Sequence, residues 1–471
     1  MNPDIFNFLR KFNGEVYLVG GYIRDILLKN GLRLPENFPV GNDSKDIDIV
    51  VFGDLDEFLK SFSRTFRKKF ITLKENLQEF RIILDRDRWI DVSGPRGKDI
   101  YEDLEKRDFT INSIAVDVRK PEFLIDPLGG LRDLSNRLIR SYSRRNLEDD
   151  PLRILRGFRF VSILCFEIEK RTLSWMQEVS EELLRISPER IRYEIFQIFS
   201  GRCLPDALDL LAETEILFVV FPELMPLKTT EQVYYGKQNL LEHTLLAVKK
   251  LHYLITHFDE IEWLAPYRRY FDPYISSEHW RALMLLGALF HDIAKPDTLT
   301  KDEEGRTHFY GHDKVGGRVV EEIATRLRFS NFEKDVLVTF VRSHMHPHLI
   351  SRDSDRTRRA VNRFLRKLGD LAFPLVLFSF ADAMASPPAE GLYEGHKKLL
   401  QMMVEIVEEK NRKKEKLVTG YDLINMGLEP SPIFKKILEE IDDLFAEGVI
   451  KTREDALKYI EEKWLVKGGK K

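Results

Sequence analysis

Apolar and polar positions change rhythm along this chain. Up to about residue 137, short apolar runs alternate with turns and brief helical stretches. EVYLV is an apolar strand, the Gly20-Gly21 pair breaks it, and YIRDILL continues with helical spacing. KDIDIVVF alternates strictly, with Ile47, Ile49 and Val51 on one side and Asp46 and Asp48 on the other. A period of two puts both carboxylates on one strand face, roughly 7 Å apart at Cα. A helix near Asp54–Phe66 and two strands, Glu79–Leu84 and Trp89–Ser93, are predicted next. From about residue 138 the periodicity is helical and stays so. The pattern predicts an α+β chain: a head with a small mixed sheet over 1–137, then helical segments over 138–224, 225–400 and 401–471. Within the last segment, residues 415–463 read as a small helical module.

Candidate chemistry begins at the first turn. Two adjacent glycines let backbone approach a bulky anion, and N–H groups at a helix start favour phosphate. Two carboxylates on a rigid strand facing such a turn suit a two-Mg²⁺ phosphoryl-transfer site. Asp91, mid-strand in WIDVSG, is a candidate third carboxylate or else a turn-proximal surface residue. Arg107 and Asp108 close an element in EKRDFTIN, and Asn112 lies inside an apolar stretch, where ligand contact explains it better than core packing.

In EDDPLRILRGFRF, acidic residues precede Pro151 at a helix start. Asp150 and Arg153, three apart, share a face and offer an acceptor beside a donor fork. That array matches cytosine or adenine, and rejects uracil and guanine by leaving polar groups unpaired. The competing interpretation is a local ion pair with a helix cap. SPERIRYEIFQIF starts another helix at Ser187.

The histidines gather further on: His243, the His291-Asp292 pair ending an apolar helix, His312 and His344, with Asp382 in SFADAMAS. Set singly, such residues are satisfied core groups. As a set on helices or helix ends they suit a transition-metal hydrolase site.

Composition adds limits. The 471 residues suffice for about three domains. A net charge of −3 does not announce a nucleic-acid partner, so local basic stretches (Arg64–Lys69, Arg352–Lys367, the Lys467–Lys471 tail) must carry that argument. The two cysteines, Cys165 and Cys203, have no metal-type or redox-type partner nearby in the chain, which fits a reducing cytoplasm. No signal peptide and no long apolar run are found. The Lys, Glu and Arg content hints at heat adaptation.

Taken together, VGGYIRDILL with DIDIVV, KRDFTIN, DPLGG, DDPLRILRGFRF and PERIRYEI resemble, in order, the five motifs of the class II tRNA nucleotidyltransferases, the CCA-adding enzymes and their bacterial poly(A) polymerase relatives. The resemblance covers almost the whole chain. It implies a polymerase-β-type head followed by all-α neck, HD and tail domains. By resemblance, Gly20, Gly21 and Arg24 hold the triphosphate, and Asp46 and Asp48 hold Mg²⁺. Arg107, Asp108 and Asn112 meet the ribose. Asp150 and Arg153, with Arg156 and Arg159 further along the same helix, form the base template, and Arg190 and Glu194 brace it. The histidine-rich region is similar to HD-domain phosphohydrolases, implying a divalent transition metal and a second activity. VTGYDLINMGLEPSP is similar to the family's tail, which cups the tRNA elbow, although Pro430-Ser431-Pro432 departs from its usual Pro-Gly-Pro.

Two more departures bear on specificity. Asp149-Asp150 stands where the family has Glu-Asp, and only residues 92–106 separate the Asp91 strand from Arg107. Members that add A carry a longer flexible loop there, to refit the pocket from CTP to ATP. The resemblance therefore implies a cytoplasmic CC-adding enzyme that places C74 and C75 on the tRNA 3′ end and passes its product to a separate A-adding enzyme. Alternatives are full CCA addition from CTP and ATP, poly(A) polymerase, or an HD phosphohydrolase with an inactive head.

Overall fold

The computed structural model of the chain describes residues 1–39, 46–74, 78–230, 239–352, 358–386, 390–414, 417–446 and 449–465. The Lys467–Lys471 tail lies outside them. The chain forms two compact units: Met1–His348 with Asp370–Tyr393, and Leu349–Gly369 with Glu394–Lys471.

The first unit opens on a mixed six-stranded sheet. Its strands are β1 (Glu15–Val19), β2 (Asp46–Phe52), β3 (Phe70–Lys74), β4 (Glu79–Ile83), β5 (Trp89–Ser93) and β6 (Ala115–Asp117). Their spatial order is β3-β4-β5-β2-β1-β6. Among the described strands of this sheet, only β2 and β5 run parallel, with Asp48 opposite Asp91. Parallel neighbours begin at the same sheet edge, so carboxylates near their starts converge. The alternation in DIDIVVF buries Ile47, Ile49 and Val51 on one face and leaves the aspartates on the other, where Val50 further along is also buried.

Helices follow. Leu152–Leu164 and Pro188–Ser200 pack together as the helical segment after the head. Beyond them, Leu240–Thr256 packs on Glu278–Phe290 and on Ala372–Met384, and His312–Arg326 packs on Asn331–Ser343. Burial all round the apolar Ala372–Met384 helix makes it the centre of that bundle.

Cys165 ends the Leu152–Leu164 helix and Cys203 precedes the Leu204–Glu213 helix. They form a disulfide with Cα atoms 5.5 Å apart. This corrects the reading of two cysteines without a redox-type partner and withdraws the support they lent to a reducing compartment. The pairing arises from helix packing across 38 residues, which spacing alone does not reveal. No helix among the described residues is long and apolar enough to cross a membrane.

The second unit contains the Arg358–Leu368 helix, most of the long Glu390–Lys414 helix, and a small cluster of Gly420–Asn425, Ile433–Ala446 and Arg453–Ile460 around Leu423, Ile437, Ile441 and Ala456.

Candidate active site

β1 runs directly into the Gly20–Lys29 helix, so the glycine pair sits at a helix start beside β2. Gly20 adopts φ +68°, and a Cβ there would come within 3.1 Å of Asp48 Oδ2. Both the backbone conformation and the close carboxylate require glycine. The Tyr22 N–H points to Asp48 Oδ2 at 3.4 Å.

Asp46, Asp48 and Asp91 offer oxygens that all lie within 4.8 Å of one another. Burial, with repulsion from Asp48 and Asp91, pushes the Asp46 carboxyl up to about 6. Burial also raises Asp48, with Asp91 adding and Arg107 opposing. Three carboxylates held together against their own repulsion form a donor set suited to hard divalent cations. Arg81 on β4 grips Asp91 with two hydrogen bonds, Nε to Oδ1 at 2.7 Å and Nη2 to Oδ2 at 2.8 Å, while its guanidinium lies over the Trp89 ring. Arg81 escaped the sequence reading. The signal was available, because β4 and β5 form a hairpin in which Arg81 lies opposite Asp91.

A cavity of about 490 Å³ adjoins these carboxylates. Ten of the sequence-predicted residues line it: Gly20, Gly21, Asp48, Arg107, Asp108, Asn112, Asp150, Arg153, Arg156 and Arg190. Glu79, Arg96, Lys106 and Asp149 complete the lining. Arg24 and Arg159 do not line it. Arg24 donates to Asn112 Oδ1 at 2.9 Å and to Asp25, and Arg159 donates to the buried Glu194 at 3.0 Å.

The template pair is wired differently from the sequence expectation. Asp150 precedes the helix in extended conformation, and its Oδ2 accepts from Arg190 at 2.8 Å, not from Arg153. Its Oδ1 is buried with no hydrogen-bond partner, which leaves a free acceptor in the wall of the cavity. Arg153 donates to the backbone carbonyls of Asn146 at 2.9 Å and Lys106 at 2.8 Å, tying the helical segment to the head. Burial alone would raise Asp108. The Arg156 and Arg153 guanidiniums, with hydrogen bonds from Asn112 and Arg156, outweigh it and hold the carboxyl below the usual range. Burial likewise works against the Arg156 charge, but Asp108 and Glu194 more than compensate. Asp103, also missed, is buried and orients Arg107 through contacts at 3.0 Å.

A second cluster lies in the helical bundle. His243, His291 and Asp292 form one potential ligand set, and Asp292, His312 and His344 another. Asp382 joins them, 3.0 Å from His243 Nε2 and 2.9 Å from His348 Nε2. Nδ1 of His291, His312 and His344 lies 2.8, 2.7 and 2.6 Å from the carbonyl of the residue three earlier. A carbonyl can only accept, so each Nδ1 carries a proton and each ring turns its Nε2 inward. His312 and His344 face each other Nε2 to Nε2 at 3.2 Å. With Asp292, these two ring nitrogens form a set suited to a shared cation. Burial, then repulsion from His291, pushes His344 down to about 3, which keeps it a neutral ligand. Lys295, three residues after Asp292, lies 2.6 Å from its Oδ2. Sequence reasoning missed Lys295 and His348, although His348 stands four residues after His344, one helical turn away.

Comparison with known proteins places three family models along the chain. Residues 16–140 match the family described as "Poly A polymerase head domain", 165–228 match "Probable RNA and SrmB- binding site of polymerase A", and 240–447 match "HD domain". The chain is 28% identical to the "A-adding tRNA nucleotidyltransferase" of Deinococcus radiodurans, over 78% of this chain and 80% of that protein. It is 30% identical to the "Multifunctional CCA protein" of Actinobacillus pleuropneumoniae, over 71% and 76%. It is 26% identical to the "CC-adding tRNA nucleotidyltransferase" of Thermus thermophilus, over 95% and 93%. Among solved structures, the Thermotoga maritima CCA-adding enzyme complexed with tRNA shares the fold, with a TM-score of 0.60 at 23% identity over 98% of this chain and 95% of that one.

Proposed function

The chain belongs to the class II tRNA nucleotidyltransferases, and from that premise we propose that it adds two CMP residues from CTP to the tRNA 3′ end. In this reading, residues 1–137 are the catalytic head, 138–224 the neck, 225–400 the HD domain and 401–471 a tail that holds the tRNA elbow. The enzyme works in the cytoplasm, and a separate A-adding enzyme completes its product.

The incoming triphosphate lies on the N–H groups at Gly20 and Gly21, beside the cationic side of the cavity. Asp46, Asp48 and Asp91 would hold two Mg²⁺, which when bound neutralise the triphosphate and lower the pKa of the attacking hydroxyl. Arg107, fixed by Asp103, and Asn112, fixed by Arg24, face the sugar. Asp150 Oδ1 accepts from the cytosine amino group, and the donors of Arg153 left over from its carbonyl contacts serve the ring acceptors.

One observation carries the choice of CC-addition. The short segment before Arg107 is fastened at several points: Arg96 N–H donates to Asp103 at 2.9 Å, Lys98 N–H to Glu102 at 3.1 Å, and Arg153 grips its Lys106 carbonyl. A segment so short and so tied cannot act as the lever that refits the pocket for ATP. Likeness to the A-adding and multifunctional relatives supports a second reading, in which ATP is also used. Extension of a tRNA transcript lacking its CCA end decides between them. With CTP alone we expect two added residues, and with CTP plus ATP still two. A third residue on adding ATP overturns the CC assignment.

The histidine cluster would hold a divalent transition metal, through His243, His291 and Asp292 on one side and Asp292, His312 and His344 on the other. We assign it a separate phosphohydrolase activity.

A further inference from the structure

On the second compact unit, the Arg358–Leu368 helix buries Val361, Phe364 and Leu368 and turns its other face outward. Arg359, Arg363 and Arg366 stand on that exposed face at intervals of four and three residues, so they form one stripe about 10 Å long. Lys410 of the long Glu390–Lys414 helix donates to Asn362 at 2.6 Å and closes the stripe from the other side. Together Arg359, Asn362, Arg363, Arg366 and Lys410 line a hollow of about 530 Å³. Arg358, the neighbouring arginine, is neutralised by Glu405 and Glu409. Among the described residues, Arg359, Arg363 and Arg366 have no acidic partner. In sequence, Arg412, Lys413 and Lys414 follow Lys410.

The lining selects the ligand. Among the described residues, four cations and an amide line the hollow, with no carboxylate, aromatic or aliphatic side chain beside them, so it suits anions. The described lining offers no ring on which a base could stack, and stacking platforms are how proteins hold unpaired bases. Contacts of this kind go to phosphate oxygens, and they position a nucleic acid without reading its sequence. The chain as a whole is slightly acidic, so this concentration of positive charge departs from the general surface.

We propose that the stripe of Arg359, Arg363 and Arg366 with Lys410 is a docking surface for the phosphate backbone of the tRNA substrate. The proposal rests on the tRNA reading above. It adds a sequence-independent contact, made by a unit distinct from the one that carries the carboxylates, and it explains how an enzyme of net negative charge holds a polyanion.

The test is direct tRNA binding by the full chain across a salt series, comparing wild type with the Arg363→Glu/Arg366→Glu and Arg363→Lys/Arg366→Lys variants. Charge reversal should weaken tRNA binding at least tenfold at low salt and flatten the log–log salt dependence by about one to two. The lysine pair, which keeps the charge, should stay near wild type. Unchanged affinity and slope in a reversed variant that melts at the wild-type temperature would overturn the proposal. So would a loss that falls equally on binding of free CTP, which would make the hollow a nucleotide site. Extension is scored separately on the same samples. Wild type that binds tRNA with the expected salt dependence but adds nothing would defeat the nucleotidyltransferase reading and leave the docking surface standing.

Discussion

The head and the histidine bundle solve the same problem, gathering acidic ligands at one point, with opposite means. In the head, three aspartates stand on the two central strands of a sheet, and burial and mutual repulsion raise Asp46 and Asp48. In the bundle, burial would raise Asp292 and Asp382, yet neighbouring histidines, joined by Lys295 at Asp292, hold both well below the usual carboxylate range. The head site is therefore short of positive charge and ready to share hard cations with a triphosphate. The bundle site already balances much of its charge and is sealed among helices. The contrast predicts weak, exchangeable Mg²⁺ in the head and a tightly held softer metal in the bundle.

The most severe way to break the head alone is Asp48→Asn. Removing one ligand charge should lower single-turnover CMP addition roughly 10³-fold or more, with transition-metal content unchanged by elemental analysis. The reciprocal change, Asp292→Asn, removes the carboxylate common to both histidine sets. It should strip most of the bound transition metal while CMP addition stays within about twofold. A milder effect follows from the arginine behind Asp91. Arg81→Gln should raise the Mg²⁺ concentration for half-maximal extension by about 10–100-fold, the usual cost of losing a group that orients a metal ligand. Tight CTP binding at saturating Mg²⁺ would show that the cavity itself is intact.

The smallest effect is on stability. The Asp46 carboxyl is raised from 3.8 to about 6 in the folded state. Between those values the folded protein holds a proton that the unfolded chain releases. The contribution of this group to stability is thus fully present below about pH 4 and lost as pH rises through 6. In chelator, the melting temperature should include a component that falls across this window. Saturating Mg²⁺, by binding the ionised form, should reduce or reverse it.

The two sites also differ in how openly the sequence displayed them. Asp46 and Asp48 were legible because a strand repeats every two residues, so a short string fixes their common face. The β4–β5 hairpin signalled that Arg81 faces Asp91, but that Asp91 meets Asp48 depended on β5 pairing with β2, a property of the assembled sheet. The template residues were legible as members of one site, but their partners were not. Asp150 is held by Arg190 from a helix some forty residues on, and Arg153 spends donors on head carbonyls. The histidine cluster draws on five separate helices or their ends, so only the set as a whole suggested a site. The Cys165–Cys203 bond was invisible for the same reason: nothing local in either segment records that two helix ends meet.

The most direct test of the division of labour is metal reconstitution. Purified protein would be stripped with a chelator until elemental analysis finds no transition metal, then assayed for CMP addition to tRNA after restoring Mg²⁺ alone. We predict full recovery of two-residue addition while the histidine site stays empty. Extension that returns only when a transition metal is added back would contradict the assignment of nucleotidyl transfer to the three aspartates of the head.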